Sequence, residues 1–178
     1  RPAGAASRWW LERSLESLGT SLEGKSVRLL LRKGPAARVV RDAMEETGAR
    51  SLHFMRDHAP WSEALEQEVR KAAEGLGAEC HRHRGFLLHE PEHIKTGSGG
   101  PYKVFTPFSR ACMEQEPERD PRPVPSKIEP HAGKLAGDRL KDWALYPAPP
   151  DWAAEFSSRW TPGEAGARAA LARFLKEA

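Results

Sequence analysis

Cys80, His81, His83, His89 and His93 fall within a stretch of fourteen residues, and thiolate with imidazole is the donor set that zinc prefers. The order of the residues works against a shared site. If Glu79 to His83 is a strand, His81 and His83 lie on one face and Cys80 on the other. Pro91 breaks any helix that would align His89 with His93. A second candidate is the glycine-rich run Thr96-Gly97-Ser98-Gly99-Gly100, whose backbone could cradle a phosphate. It has neither the Lys-Ser/Thr pair of a P-loop nor the dinucleotide fingerprint, and locally it reads as a surface loop. Cys112 has no base at a recognisable spacing, no serine sits in a nucleophile elbow, and no carboxylate pair stands out. Covalent and acid–base catalysis therefore have no candidate residues. Trp9, Trp10 and Trp61 are read as core or interdomain contacts of amphipathic helices rather than as a stacking platform.

The elements that would carry these residues follow from hydrophobic spacing. Trp9, Trp10, Leu11, Leu15, Leu18 and Leu22 recur at helical steps and predict a helix from Ser7, its N-cap, to Leu22. Val27 to Arg32 reads as a strand, closed by Lys33-Gly34-Pro35, and Ala36 to Thr47 as a helix stopped by Gly48. The unit repeats: Ser51 to Met55 is a strand, Trp61 to Leu76 a helix ended by Gly77, and Glu79 to His83 a third strand. Short strands alternating with helices predict an α/β fold, a Rossmann-like parallel sheet with flanking helices. A further helix starts around Thr106 or Pro107, an irregular linker rich in proline and charge follows, and a short helical segment from Pro162 ends the chain. The expected division is an α/β domain over 1–116, a linker over 117–160 and a helical segment over 161–178.

Composition narrows the classes. At 39% hydrophobic and 30% charged, the 178 residues can bury a core and are not compositionally disordered. The 28 basic residues are interspersed with 25 acidic ones, for a net charge of +3. That describes a mixed solvated surface rather than a nucleic-acid footprint. Lys103, Arg110, Arg119, Arg122 and Lys127 form a basic strip, but Glu114, Glu116, Glu118 and Asp120 interleave it, so DNA affinity should be weak. Two cysteines make no disulfide framework and no apolar run spans a bilayer, so a reducing cytoplasm and no membrane are expected. Arg1 to Ala6 has no initiator Met and no apolar signal core, so the expectation is a natural start further upstream.

Several ordered motifs carry a resemblance. Tyr102-Lys103-Val104-Phe105-Thr106-Pro107-Phe108 is similar to the P-Y-x-V-F-T-P-F segment of the photolyase and cryptochrome family. Leu87-Leu88-His89-Glu90-Pro91 resembles the family's L-L-H-x-P. Glu46-Thr47-Gly48-Ala49 with Arg56-Asp57-His58-Ala59-Pro60 resembles its "ETGA…N-R-D-Y-E-P" turn. The helix at Arg8-Trp9-Trp10, the strand at Leu29-Leu30-Leu31, and the tail from Trp160 through Gly163 to Leu175 fall in the same order.

The resemblance implies an amino-terminal antenna domain of a light-driven flavoenzyme that repairs pyrimidine dimers, with a cryptochrome-like photoreceptor or a remnant interaction module as alternatives. FAD belongs to a helical domain that these residues would only open. Damaged DNA would be engaged through that domain, supplied in cis or by a complementing chain. Two strands that precede the first helix in the family are not in this sequence, so the sheet is expected to be incomplete, with central strands missing. Unpaired edges should then make the chain unstable or prone to aggregate. The antenna cleft is expected at Arg56, Asp57 and His58 and at Thr96, Gly97, Ser98, Gly99 and Gly100, at the carboxyl ends of strands. The family's folate-contacting Asn and Glu have no counterpart in Ser98-Gly99-Gly100, so a deazaflavin or flavin antenna is implied over a folate. No residue is assigned a catalytic role.

Overall fold

The computed structural model describes residues 3–115, 122–146 and 150–177. By its internal contacts the chain divides into two units, Gly34–Val124 and Arg1–Lys33 with Pro125–Ala178.

In the unit Gly34–Val124, helix α2 (Ala36–Thr47) leads to strand β1 (Ser51–Met55), and helix α3 (Ser62–Glu74) leads to strand β2 (Glu79–His83). The two strands pair in parallel, Ser51 opposite Glu79 through Met55 opposite His83. They are direct neighbours, so no gap falls between these two. Helix α2 stops because Gly48 takes a left-handed turn at φ 68°, a conformation that costs glycine nothing. The Ala49 N–H then closes on the Met44 carbonyl at 3.2 Å. Met44, Ala73 and Ala78 form the buried centre, with Val40, Leu52, Leu76 and Cys80 packed around it. The period-two alternation of β1 and β2 thus turns Leu52 and Cys80 toward the helices. It leaves His53, Met55, His81 and His83 on the opposite face.

On that face His53 Nδ1 lies 2.8 Å from His83 Nε2. The ring planes differ by 9° and their centroids are 5.1 Å apart. Adding two ring radii to the nitrogen contact recovers the centroid separation, so these imidazoles meet edge to edge. His81 stacks on His53 at 4.5 Å. Helix α4 (Phe105–Glu114) follows, with Pro107 in its first turn, where a missing N–H is harmless.

In the second unit, helix α1 (Ala5–Glu23) begins behind Gly4, three residues before the expected Ser7 cap. It buries Trp9, whose ring meets Phe156 edge-on at 5.2 Å, while Trp10 meets Trp160 at 6.2 Å. Phe156 opens the short helix α5 (Phe156–Arg159), and among the described residues of the proline-rich segment this turn and a 3₁₀ turn at Leu140–Trp143 are the regular pieces. Helix α6 (Glu164–Glu177) is last, and its expected apolar face at Leu171, Phe174 and Leu175 is exposed.

The expected strand Val27 to Arg32 has no regular structure and belongs to no sheet. Its neighbours are Ala136 and Asp138: the Asp138 N–H donates to the Leu31 carbonyl at 2.7 Å, and the Arg32 guanidinium donates to the Ala136 carbonyl. The Lys33 N–H donates to the Asp138 carboxylate at 2.8 Å, which replaces a ladder bond with a side chain. A leucine-rich run is not enough to make a strand where the segment beside it carries glycine and builds no ladder. Trp61, read as a core or interdomain residue, is 72% exposed.

The small core of α2 and α3 is sensitive to volume. Ala73 has no exposed surface, so Ala73→Leu should overpack it and cost about 1–3 kcal/mol, read as a lower urea midpoint.

Candidate functional site

The turn after β1 is organised by charge. The Arg56 N–H extends the ladder by bonding to the His83 carbonyl at 2.8 Å, which brings the Arg56 side chain out at the carboxyl ends of both strands. Its guanidinium donates to Glu90 Oε2 at 2.8 Å and to Glu92 Oε2 at 3.0 Å, and its second terminal nitrogen bonds Glu92 Oε1. Glu90 is 2% exposed, and a carboxylate so far from water is tolerable only because a guanidinium faces it. His58 Nε2 stands 3.5 Å from the same Glu90 oxygen.

Asp57 works locally. Its carboxylate accepts the Ser62 hydroxyl at 2.5 Å and the Ala59 N–H at 3.1 Å, which shapes the entry to α3. Chiefly the Ser62 bond holds its carboxyl below the usual range. Glu66 in α3 accepts the Asp57 N–H at 3.1 Å and Arg82 at 3.2 Å, tying the turn to β2. Two clefts flank this network. One of about 340 Å³ is lined by Arg56 to Pro60 with Glu63, Glu66 and Arg82. The other, of about 330 Å³, is lined by Arg56, Arg82, His83, Arg84, Glu92 and His93.

Thr96 to Gly100 closes on itself. The Thr96 N–H donates to the Gly100 carbonyl at 2.8 Å, the Gly99 N–H to the Thr96 carbonyl at 2.8 Å, and the Gly100 N–H to Thr96 Oγ1 at 3.2 Å. Ser98 Oγ lies 3.0 Å from Thr96 Oγ1. These donors are engaged inside the loop, so they do not form a phosphate cradle. Arg56, Asp57 and His58 are thus brought to the clefts, whereas Thr96, Gly97, Ser98, Gly99 and Gly100 line neither.

Glu66, Arg82, Glu90 and Glu92 complete the network, and Arg84 lines the second cleft, without having been singled out for it. Glu90 and Glu92 are separated from Arg56 by more than thirty residues, and no local spacing announces such a pair. The only signal was an acid inside the Leu87 to Pro91 motif.

Among the described residues no group of three His, Cys, Asp or Glu could hold a metal ion. Cys80 faces the core, and burial pushes its thiol up from the ordinary range. Of the basic strip, Arg119 lies outside the described residues together with Glu116, Glu118 and Asp120. Among the described residues no helix is long and apolar enough to cross a membrane.

The family described as DNA photolyase matches residues 1–126. The chain belongs to that family. A deoxyribodipyrimidine photo-lyase of Agrobacterium fabrum is 38% identical over 174 residues, 98% of this chain and 36% of the relative. The crystal structure of a bacterial class III photolyase from Agrobacterium tumefaciens superposes with a TM-score of 0.90 at 39% identity, again over 98% of this chain and 36% of that one. A Synechocystis cryptochrome shares the fold, with a TM-score of 0.65 at 20% identity over 78% of this chain and 29% of that one. The chain therefore spans about 36% of the length of these photolyases.

The ion network makes two predictions. Glu90→Ala removes one of the two carboxylates around Arg56 and should cost about 2 kcal/mol of stability, measured by urea denaturation. The second concerns acid. The Arg56 hydrogen bond holds Glu92 down at about 2 against an ordinary 4.5. A carboxyl depressed on folding adds stability above its unfolded value and loses it as pH falls toward the folded one. Stability should therefore decline between about pH 4.5 and about pH 2. Glu92→Gln should flatten part of that decline in pH-dependent melting curves, Asp57 retaining its own share.

Proposed function

We propose that this chain is the amino-terminal, antenna-bearing part of a deoxyribodipyrimidine photolyase, the light-driven flavoenzyme that repairs pyrimidine dimers in DNA. The observation that carries the reading is the alignment of 98% of the chain with a class III photolyase at a TM-score of 0.90. A cryptochrome-like photoreceptor is the second reading, favoured by a match to cryptochrome-2 of Arabidopsis thaliana at 28% identity over 128 residues. The Agrobacterium fabrum photolyase, at 38% identity over 98% of the chain, exceeds it on both counts, which ranks the cryptochrome reading second.

In this reading residues 1–116 form the antenna domain, 117–160 link it onward, and 161–178 open the helical domain that binds FAD. The flavin would perform electron transfer to a dimer flipped out of the duplex, in contact with residues outside these 178. An antenna chromophore, a deazaflavin or flavin in preference to folate, would lie by the turn Arg56 to His58, where two clefts open at the carboxyl ends of parallel strands. The self-closed loop Thr96 to Gly100 gives the chromophore less to hold. The setting is the cytoplasm, with damaged DNA as the partner of the whole enzyme.

The test is irradiation of dimer-containing DNA with blue light in the presence of the purified chain. No repair is expected. Repair by these 178 residues alone would overturn the division of labour, and a visible absorption band that co-purifies with the chain would support the antenna assignment.

A further inference from the structure

The face of the sheet turned away from α2 and α3 carries donors that the photolyase reading leaves unused. His53 and Met55 stand on β1 and His81 and His83 on β2, with Met55 directly opposite His83 in the register. His53 Nδ1 lies 2.8 Å from His83 Nε2, and the two rings are within 9° of coplanar, so both nitrogens point at the space between them. His81 stacks on His53 at 4.5 Å, and its own Nε2 is 3.2 Å from Glu79 Oε2. It steadies the His53 ring rather than converging on the same point. Met55 is 51% exposed. Its thioether sits on a chain with three rotatable bonds and has only the strand separation, about 4.8 Å, to cross. His53, Met55 and His81 line neither of the clefts at the strand ends.

We propose that His53 Nδ1, His83 Nε2 and the Met55 thioether bind one copper(I) ion on this open face. Two imidazoles and a thioether suit copper, and as neutral donors they bring no anionic charge to offset a dication. The carboxylate on this face, Glu79, sits beside His81, and Cys80 faces the helices. Among the described residues no three of His, Cys, Asp or Glu form a metal site; here the third donor is a methionine sulfur. Metal–nitrogen bonds of about 2 Å place two nitrogens about 3 Å apart at a right angle and about 4 Å apart in line. Rings that stand at 2.8 Å therefore part only slightly, and both are exposed at the sheet surface. On binding, the ring that donates the hydrogen bond carries its hydrogen on its other nitrogen, so the neutral pair takes up copper without net proton release. The inference is independent of the photolyase reading, since it needs neither chromophore nor flavin.

The experiment is an anaerobic titration of the full chain with copper(I) against a chromogenic copper(I) chelator, with a second titration by zinc. NMR of the histidine rings and of isotopically labelled methionine methyl groups accompanies both. One equivalent of copper(I) is expected to bind, moving the Met55 methyl and the His53 and His83 ring signals. The methyls of Met44, in the buried core, and Met113, in α4, should stay in place. Met55→Leu, a volume-conserving change at an exposed position, should weaken binding roughly tenfold, and His53→Gln by more. Copper bound with the Met55 methyl unmoved would place the ion on the Cys80 or Cys112 thiol and overturn the assignment. Tighter binding of zinc than of copper(I), unchanged affinity in both variants, or no binding in competition with the chelator would overturn it too. The methyl and ring signals of the unsubstituted chain decide the matter should a variant fail to fold.

Discussion

A carboxylate 2% exposed to solvent has to be matched by a charge, and at Glu90 the match is Arg56. Much of the unit Gly34–Val124 is arranged around that need. Arg56 is delivered by the ladder, since its own N–H bonds the His83 carbonyl. The pair joins the end of β1 to a chain segment that has no regular structure of its own. Removing Arg56 would leave Glu90 stranded in a low-dielectric setting, whereas Arg56 would keep Glu92 if Glu90 were lost. The interaction organises more than it stabilises: it fixes where the irregular chain after β2 lies relative to the strand ends, and so where the clefts open.

Local signals and distant ones fared differently in the sequence. Strand limits at Ser51–Met55 and Glu79–His83 and the helix at Ala36–Thr47 were legible to the residue, because alternation, helical spacing and a closing glycine all agreed there. Val27 to Arg32 shows the limit of that method. Its leucines specify an extended chain, but whether an extended chain becomes a strand depends on a partner, and the residues that lie beside it are Ala136 and Asp138, over a hundred positions away. Trp61, exposed in this chain, shows a related limit: helical spacing reveals a face, not what stands against it.

The candidate site divides along the same line. Arg56, Asp57 and His58 were legible as a turn at a strand end and do line a cleft. The glycines of 96–100 read locally as a surface loop, and what they could not show is that the Thr96 hydroxyl caps that loop from within. The acids and arginines around the second cleft come from the turn after β1, from α3, from β2 and from the segment after it, and only the folded chain assembles them. Charge pairing of this kind leaves no periodic trace, since any surface acid looks the same in a sequence as one destined for a buried pair.

Two imidazoles that meet nitrogen to nitrogen, as His53 and His83 do at 2.8 Å, hold a single hydrogen between them. Their tautomers are therefore correlated: if one ring donates, the other must present a bare nitrogen. The choice made in β1 is imposed on β2, so the two strands share a chemical state as well as a backbone register. Any reagent that captures one ring nitrogen, by alkylation or by coordination, rewrites the hydrogen-bonding role of the other ring at the same moment.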